Sequence, residues 1–293
     1  MPTIIDGKAT SAQIRAELKE KTAKLKADTG IIPGLAVLLV GADPASQIYV
    51  NSKEKACKEI GFNSIIKRMP ADSSEKDVLA VVEAWNNDPA IHGFIVQLPL
   101  PKHIDEDKVI NAVSPDKDVD GFHPASLGRL VIGLPCFVSC TPAGIMELFK
   151  RYNIDMKGKH VVVLGRSNIV GKPIANLLYQ KTPEANAVVT ICHTGAKDFS
   201  VYTKQADILI AAVGVPDLIK AEHVKDGVVV IDVGINRVDD DTKPRGYRLT
   251  GDVDYAQVAP KASAITPVPG GVGPMTIAML LSNTFKSASG ELK

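Results

Sequence analysis

Val161-Val-Val-Leu-Gly-Arg-Ser-Asn-Ile-Val-Gly-Lys-Pro173 decides how this chain is read. An apolar, β-branched run ends at Gly165, a polar turn follows, and the pattern predicts a helix from near Gly171. That order is the strand, turn and helix of a nucleotide-binding βαβ unit, where backbone N–H groups and a helix N-terminus face a pyrophosphate. The glycines are spaced G-x5-G, and the chain contains no G-x-G-x-x-G. Arg166 puts a permanent cation where an adenosine ribose lies in such units. In the usual fingerprint an acid about 20 residues further on accepts the ribose 2′-OH. Here the next strand ends in Cys192-His193-Thr194, with no carboxylate at its tip. A 2′-phosphate would be welcomed by Arg166 and Thr194, so these residues lean to NADP over NAD. The plainer alternative is a structural turn with a solvated arginine.

Outward from that unit, helix and strand patterns alternate, which argues an α/β fold with largely parallel sheets. Helices are expected over 10–26, from Asp43 as N-cap and Pro44 to about Ile60, from a capping box of Asp72 and Glu75 through Trp85, and over 275–285. Thr141 is expected to cap another, with Ile145, Leu148, Phe149 and Tyr152 as its apolar stripe. Strands are expected over 35–40, 65–69, 93–98, 160–164, 187–192, 207–213, 228–233 and 264–266, and residues 114–135 read as turn-rich. This gives two domains. Residues 1–139, completed by a C-terminal helix over 275–293, form an N-terminal α/β catalytic domain. Residues 140–274 form a Rossmann-type parallel-sheet domain.

Composition narrows the partners. Of 293 residues, 45% are hydrophobic and 23% charged, and Lys+Arg 34 nearly balances Asp+Glu 33. No basic excess points to nucleic acid or an anionic membrane. No apolar run reaches the roughly 18 residues of a membrane span, and no export signal is visible. Cys57, Cys136, Cys140 and Cys192 show no C-x-x-C, so reduced cytoplasmic thiols are expected rather than a disulfide framework or zinc.

Several further groups carry chemistry. Gly214-Val-Pro216 and Gly234-Ile-Asn236 follow apolar strands, at the ends where α/β sheets place ligands. The run Asp116-Lys-Asp-Val-Asp-Gly121 imitates an EF-hand opening, but position twelve is Leu127 where a bidentate Glu is needed. Calcium is therefore not expected, and no other metal is. Tyr49 and Lys53 share a helix face. Lys53 is either one of several solvated lysines or a buried amine whose lowered pKa suits a general base, with Gln97 as acceptor. In Ile265-Thr-Pro-Val-Pro-Gly-Gly-Val-Gly-Pro274, prolines bracket three glycines, a stiff loop that admits a flat ligand close to backbone.

Together these segments resemble the bifunctional methylenetetrahydrofolate dehydrogenase/cyclohydrolase family. The resemblance rests on Tyr49-Val-x-x-Lys53, Val96-Gln-Leu-Pro-Leu-Pro101, Lys117-Asp-Val-Asp-Gly-Phe-His-Pro124, Cys140-Thr-Pro-x-Gly144, Gly165-Arg-Ser-Asn-Ile-Val-Gly171 and Pro267-Val-Pro-Gly-Gly-Val-Gly-Pro-Met-Thr276, in family order. It implies a cytoplasmic homodimer of one-carbon metabolism, with NADP as cofactor and a folate as substrate. Such a protein oxidises 5,10-methylenetetrahydrofolate and hydrolyses the methenyl product to 10-formyltetrahydrofolate in a cleft between two lobes. By that resemblance Lys53 serves the hydrolysis, Gln97 binds it, Tyr49 packs on the folate and Asp120 accepts from the pterin. Gly270, Val272 and Pro274 line the folate pocket. Gly165, Arg166, Ser167, Thr194, Gly214 and Ile235 hold the cofactor. Ser126 departs from the family's Asn, Thr194 from its more common Ser, and residues 181–187 look longer than its norm. Alternatives are a dehydrogenase without cyclohydrolase activity and a non-catalytic folate- or nucleotide-binding protein.

Overall fold

The computed structural model describes residues 1–243 and 246–292. Along the chain come β1 (Thr3–Ile4), α1 (Gly7–Thr29), β2 (Gly34–Val40), α2 (Pro44–Ile60), β3 (Asn63–Met69), α3 (Glu75–Asn87) and β4 (Gly93–Val96). Then follow α4 (Glu106–Ala112), α5 (Pro124–Val131), α6 (Cys140–Arg151), β5 (His160–Leu164), α7 (Gly171–Leu178), β6 (Val188–Cys192) and α8 (Ser200–Thr203). The last are β7 (Ile208–Ala211), β8 (Val229–Asp232), β9 (Asn236–Asp239), β10 (Tyr247–Thr250), α9 (Tyr255–Val258), β11 (Ala264–Ile265) and α10 (Val272–Ser289). The chain divides into two compact units, one of Met1–Ser11 with Thr141–Thr276, the other of Ala12–Cys140 with the chain from Ile277 on.

The second of these units holds a three-stranded parallel sheet ordered β3-β2-β4. β2 is central and buried throughout, which is why Leu35 to Val40 is an unbroken apolar run. Its core joins Leu38 and Val40 to Val78, Val82 and Trp85 of α3, and Trp85 meets Phe94 edge-on at 5.5 Å between ring centroids. α2 starts as its sequence directs, with the Asp43 carboxylate accepting from Ser46 N at 2.7 Å and Pro44 in the first turn.

The other unit holds six parallel strands ordered β1-β11-β8-β7-β5-β6. From β5 the chain goes first to β6 on one side, then to β7 on the other. The strand order therefore reverses between β5 and β7, the switch point where doubly wound sheets bind ligands. β9 and β10 form a separate antiparallel hairpin, with the Arg237 guanidinium 4.1 Å above the Tyr247 ring.

Several expectations need correction. α3 is capped by Ser74, whose Oγ accepts from Asp77 N, two residues past the expected Asp72. α6 begins at Cys140, so Thr141 lies inside the helix and its hydroxyl meets that of Thr276 at 3.1 Å. α10 begins at Val272 and takes in Pro274, because proline in a first turn forfeits no helical hydrogen bond. α5 lies inside the stretch read as turns; His123 Nδ1 accepts from Ala125 N and Pro124 opens the helix. Residues 1–11, expected in the first domain, group with the six-stranded unit, where β1 pairs with β11. Lys293 lies outside the described residues.

Candidate functional site

Two sites emerge, one in each unit. In the three-stranded unit, Ser46, Val50, Lys53, Cys57 and Ile60 form the buried stripe of α2. Lys53 is thus a lysine in an apolar stripe, 8% exposed. Its Nζ donates to Gln97 Oε1 at 3.0 Å, and Gln97 is set by its own N–H on Leu38 O and its Nε2 on Leu98 O. Burial holds the Lys53 amine below the ordinary lysine range, and the charge of Asp120 opposes that shift. The Asp120 carboxyl is raised by burial and pulled down by Lys53. Each group is thereby pushed toward its neutral form, so proton occupancy here responds to whatever lies beside it. The neighbouring thiols stay protonated, since burial pushes Cys57 up to about 12 and Cys140 well above the thiol range. Tyr49 sits one turn before Lys53 and is 47% exposed.

The acidic run resolves into three roles. Asp116 is exposed. Asp118 is buried and accepts from Phe122 N, His123 N and the Ser126 hydroxyl, which fixes the turn into α5. Burial, against those bonds, pushes its carboxyl up to about 6. Of the three, Asp120 is the one whose charge acts on the lysine. Its loop is pinned by Asn283, whose Nδ2 donates to Val119 O at 2.9 Å and Val138 O at 3.0 Å. Sequence reasoning missed Asn283 and Asp118; only the Lys53 stripe had a legible signal, a lysine at the 3.5-residue spacing of buried neighbours. Among the described residues no group of three or more His, Cys, Asp or Glu is arranged to hold a metal, and all four cysteines are free.

In the six-stranded unit a cavity of about 340 Å³ opens at the switch point between β5 and β7. Gly165, Arg166, Ser167 and Thr194 line it with Val213, Val215 and Leu218. Gly165 has φ 124°, and a Cβ there would collide with Ala212 O, so glycine is required where β5 gives way to the turn. Ser167 Oγ accepts from Val170 N at 3.1 Å and Gly171 N at 3.3 Å, leaving its proton to donate outward at the start of α7. Arg166 and Thr194 are exposed at the rim. A narrow floor closed by glycine, amides at a helix start and a cation at the rim suit a phosphorylated dinucleotide. Gly214 and Ile235 are not among the lining residues; Gly214 lies between two that are, and Ile235 is 45% exposed on the loop after β8. Gly270, Val272 and Pro274 also belong to this unit. Gly270 O accepts from Lys8 N, Pro274 O from the Ser11 hydroxyl, and Val272 is buried.

A parallel sheet with a glycine turn at its switch point in one unit, and a buried lysine at the centre of the other, define a two-unit α/β enzyme of the dinucleotide-dependent class. Residues 5–120 match the catalytic domain of tetrahydrofolate dehydrogenase/cyclohydrolase, and residues 139–292 match the NAD(P)-binding domain of the same. The chain belongs to the tetrahydrofolate dehydrogenase/cyclohydrolase family. It is 59% identical over 286 residues to the bifunctional protein FolD of Chlorobium chlorochromatii (strain CaD3), covering 97% of each chain. Among solved structures it is similar to the bifunctional FolD methylenetetrahydrofolate dehydrogenase/cyclohydrolase of Campylobacter jejuni, at 50% identity and TM-score 0.94, covering 100% of both chains. It is also similar to the Trypanosoma brucei enzyme complexed with NADP cofactor and inhibitor, at 38% identity and TM-score 0.93, covering 100% of this chain and 99% of that one.

Proposed function

We propose that this chain oxidises 5,10-methylenetetrahydrofolate to 5,10-methenyltetrahydrofolate with NADP+ and hydrolyses that product to 10-formyltetrahydrofolate. The observation that carries the reading is the buried Lys53 amine on Gln97 Oε1, held below the ordinary lysine range. Hydride removal from the one-carbon bridge releases no proton and needs alignment rather than a base. Hydrolysis does need one, because attacking water must shed a proton as it adds to the methenyl carbon. A neutral Lys53 amine takes that proton, and Gln97 fixes the amine's position. Tyr49 packs on the folate rings, and Asp120 accepts hydrogen bonds from the pterin amino group and ring N–H, which favour its ionised form. Gly270, Val272 and Pro274 line the folate.

Bound NADP+ supplies the hydride acceptor. Gly165, Ser167, Gly214 and Ile235 hold its body, while Arg166 and Thr194 take the 2′-phosphate. Four free cysteines suit the reducing cytoplasm, and among the described residues no helix is long and apolar enough to cross a membrane. A homodimer is the assembly we assign, and sedimentation of the purified protein tests it.

The deciding experiment mixes pure protein with methylenetetrahydrofolate and either NADP+ or NAD+, following methenyl absorbance. It should rise and then decay faster than in a protein-free control, and rise faster with NADP+. A rise without accelerated decay would remove the hydrolytic step. No rise with either cofactor would remove the whole reading.

A further inference from the structure

Asp252 is fully buried and plays no part in either site as described so far. Its carboxylate accepts four hydrogen bonds. Oδ2 accepts from Val213 N at 2.7 Å and Gly214 N at 3.0 Å, and Oδ1 from Val215 N at 3.1 Å and Asn236 Nδ2 at 2.9 Å. Three of these donors are consecutive amides of the loop after β7, and Val213 and Val215 line the switch-point cavity. The fourth, Asn236, opens β9 directly after Ile235 of the loop that follows β8. One side chain therefore ties the loop that leaves the carboxyl end of β7 to the start of β9, where the loop after β8 ends.

Asp252 is itself held in place. Asp232 Oδ1 accepts from Asp252 N at 2.9 Å and Gly234 N at 3.0 Å, and its Oδ2 accepts from Val253 N at 3.0 Å. The fit leaves no spare room. A Cβ at Gly234 would collide with the Asp252 carboxylate, and one at Gly251 with that of Asp232. Two buried acids and two glycines thus make a single latch beneath the cavity.

We propose that Asp252 is a positioning residue for the dinucleotide: its carboxylate fixes residues 213–215 and Asn236 in the shape the cofactor meets, without touching cofactor or substrate. The inference rests on the functional reading above. A carboxylate suits the task because it offers acceptor sites on both oxygens and no donor. Asparagine has the same shape, yet its Nδ2 would face two N–H donors and expel part of the loop. A loop freed in this way must be ordered again at each binding event, which weakens binding without altering any contact residue.

The test titrates wild type and Asp252→Asn with NADP+ by calorimetry, with no folate present. In the same preparations, methenyltetrahydrofolate hydrolysis is followed without cofactor. The variant should bind NADP+ about tenfold or more weakly, the expected cost of losing charge-assisted bonds. Its hydrolysis should stay within about twofold of wild type, because Lys53, Gln97 and Asp120 belong to the other unit. Asn236→Ala removes one donor and keeps the carboxylate, so it should weaken NADP+ binding in the same direction by less. Unchanged NADP+ affinity in Asp252→Asn overturns the proposal. So does loss of hydrolysis in parallel with binding, which would mark a general structural role. Wild-type protein that bound no NADP+ would instead overturn the functional reading itself.

Discussion

Lys53 and Arg166 are both basic side chains beside a proposed ligand, yet Lys53 is 8% exposed in the apolar stripe of α2 while Arg166 stands exposed at a cavity rim. The difference follows from what each must do with its proton. A cation that grips a phosphate must stay charged, so it belongs in water and is delivered by a turn. An amine that accepts a proton must first lose one, and burial is the means, because a low-dielectric surrounding disfavours the ammonium. The two regions differ in material for the same reason. The cofactor cavity joins a glycine turn and short polar side chains from loops to an apolar lining that includes Val213, Val215 and Leu218, whereas the lysine site brings a buried amine to partly buried polar side chains on separate elements.

The sharpest way to break this contrast is Lys53→Ala. Methenyl hydrolysis should fall by about 10²–10⁴, the usual contribution of general base catalysis, while NADP+ affinity stays as in wild type. In the wild type, hydrolysis should rise with pH as the amine gives up its proton, and that limb should vanish in the variant. Wild-type hydrolysis in Lys53→Ala would end the assignment. A smaller effect is expected from Arg166→Ala, which should raise KM for NADP+ roughly tenfold and leave KM for NAD+ nearly unchanged. Equal changes for both cofactors would remove the arginine from the 2′-phosphate.

The last test concerns stability, and it compares Asp118 of one unit with Asp232 of the other. Burial raises Asp118 from 3.8 to about 6 and Asp232 from 3.8 to about 7. Both folded values lie above the unfolded one, so the folded chain binds these protons more tightly. The resulting stability is full below about pH 4 and is lost as pH rises through about 6 for Asp118 and about 7 for Asp232, at up to about 1.4 kcal/mol per pH unit for each group. Urea unfolding between pH 5 and 8 should show Asp232→Asn with a flatter decline than wild type. A variant profile as steep as the wild type's would refute the shift at Asp232.

Much of this was legible because it is local. The alternation of apolar runs with capped helices marks an α/β chain, since each strand and helix needs its own periodicity and stop signal. Gly165 and Gly171 could be read as a ligand turn because the close approach they allow is made within a dozen residues. Lys53 was only half legible. Its place among Val50, Cys57 and Ile60 marks a buried face, but nothing along the chain joins it to Gln97, 44 residues away.

The sequence by itself determined the parallel sheets, the glycine turn and the residue types that suit a dinucleotide and a proton acceptor. Only the tertiary structure decided which of Asp116, Asp118 and Asp120 interacts with the lysine, that β1 joins the distant β11, and that Asp252 latches the loop after β7, which begins 39 residues before it at Val213. The physical reason is the range of the forces. Helix caps, turns and periodicity act between neighbours in the chain, whereas burial and the hydrogen bonds of a buried carboxylate exist only once remote segments have packed together.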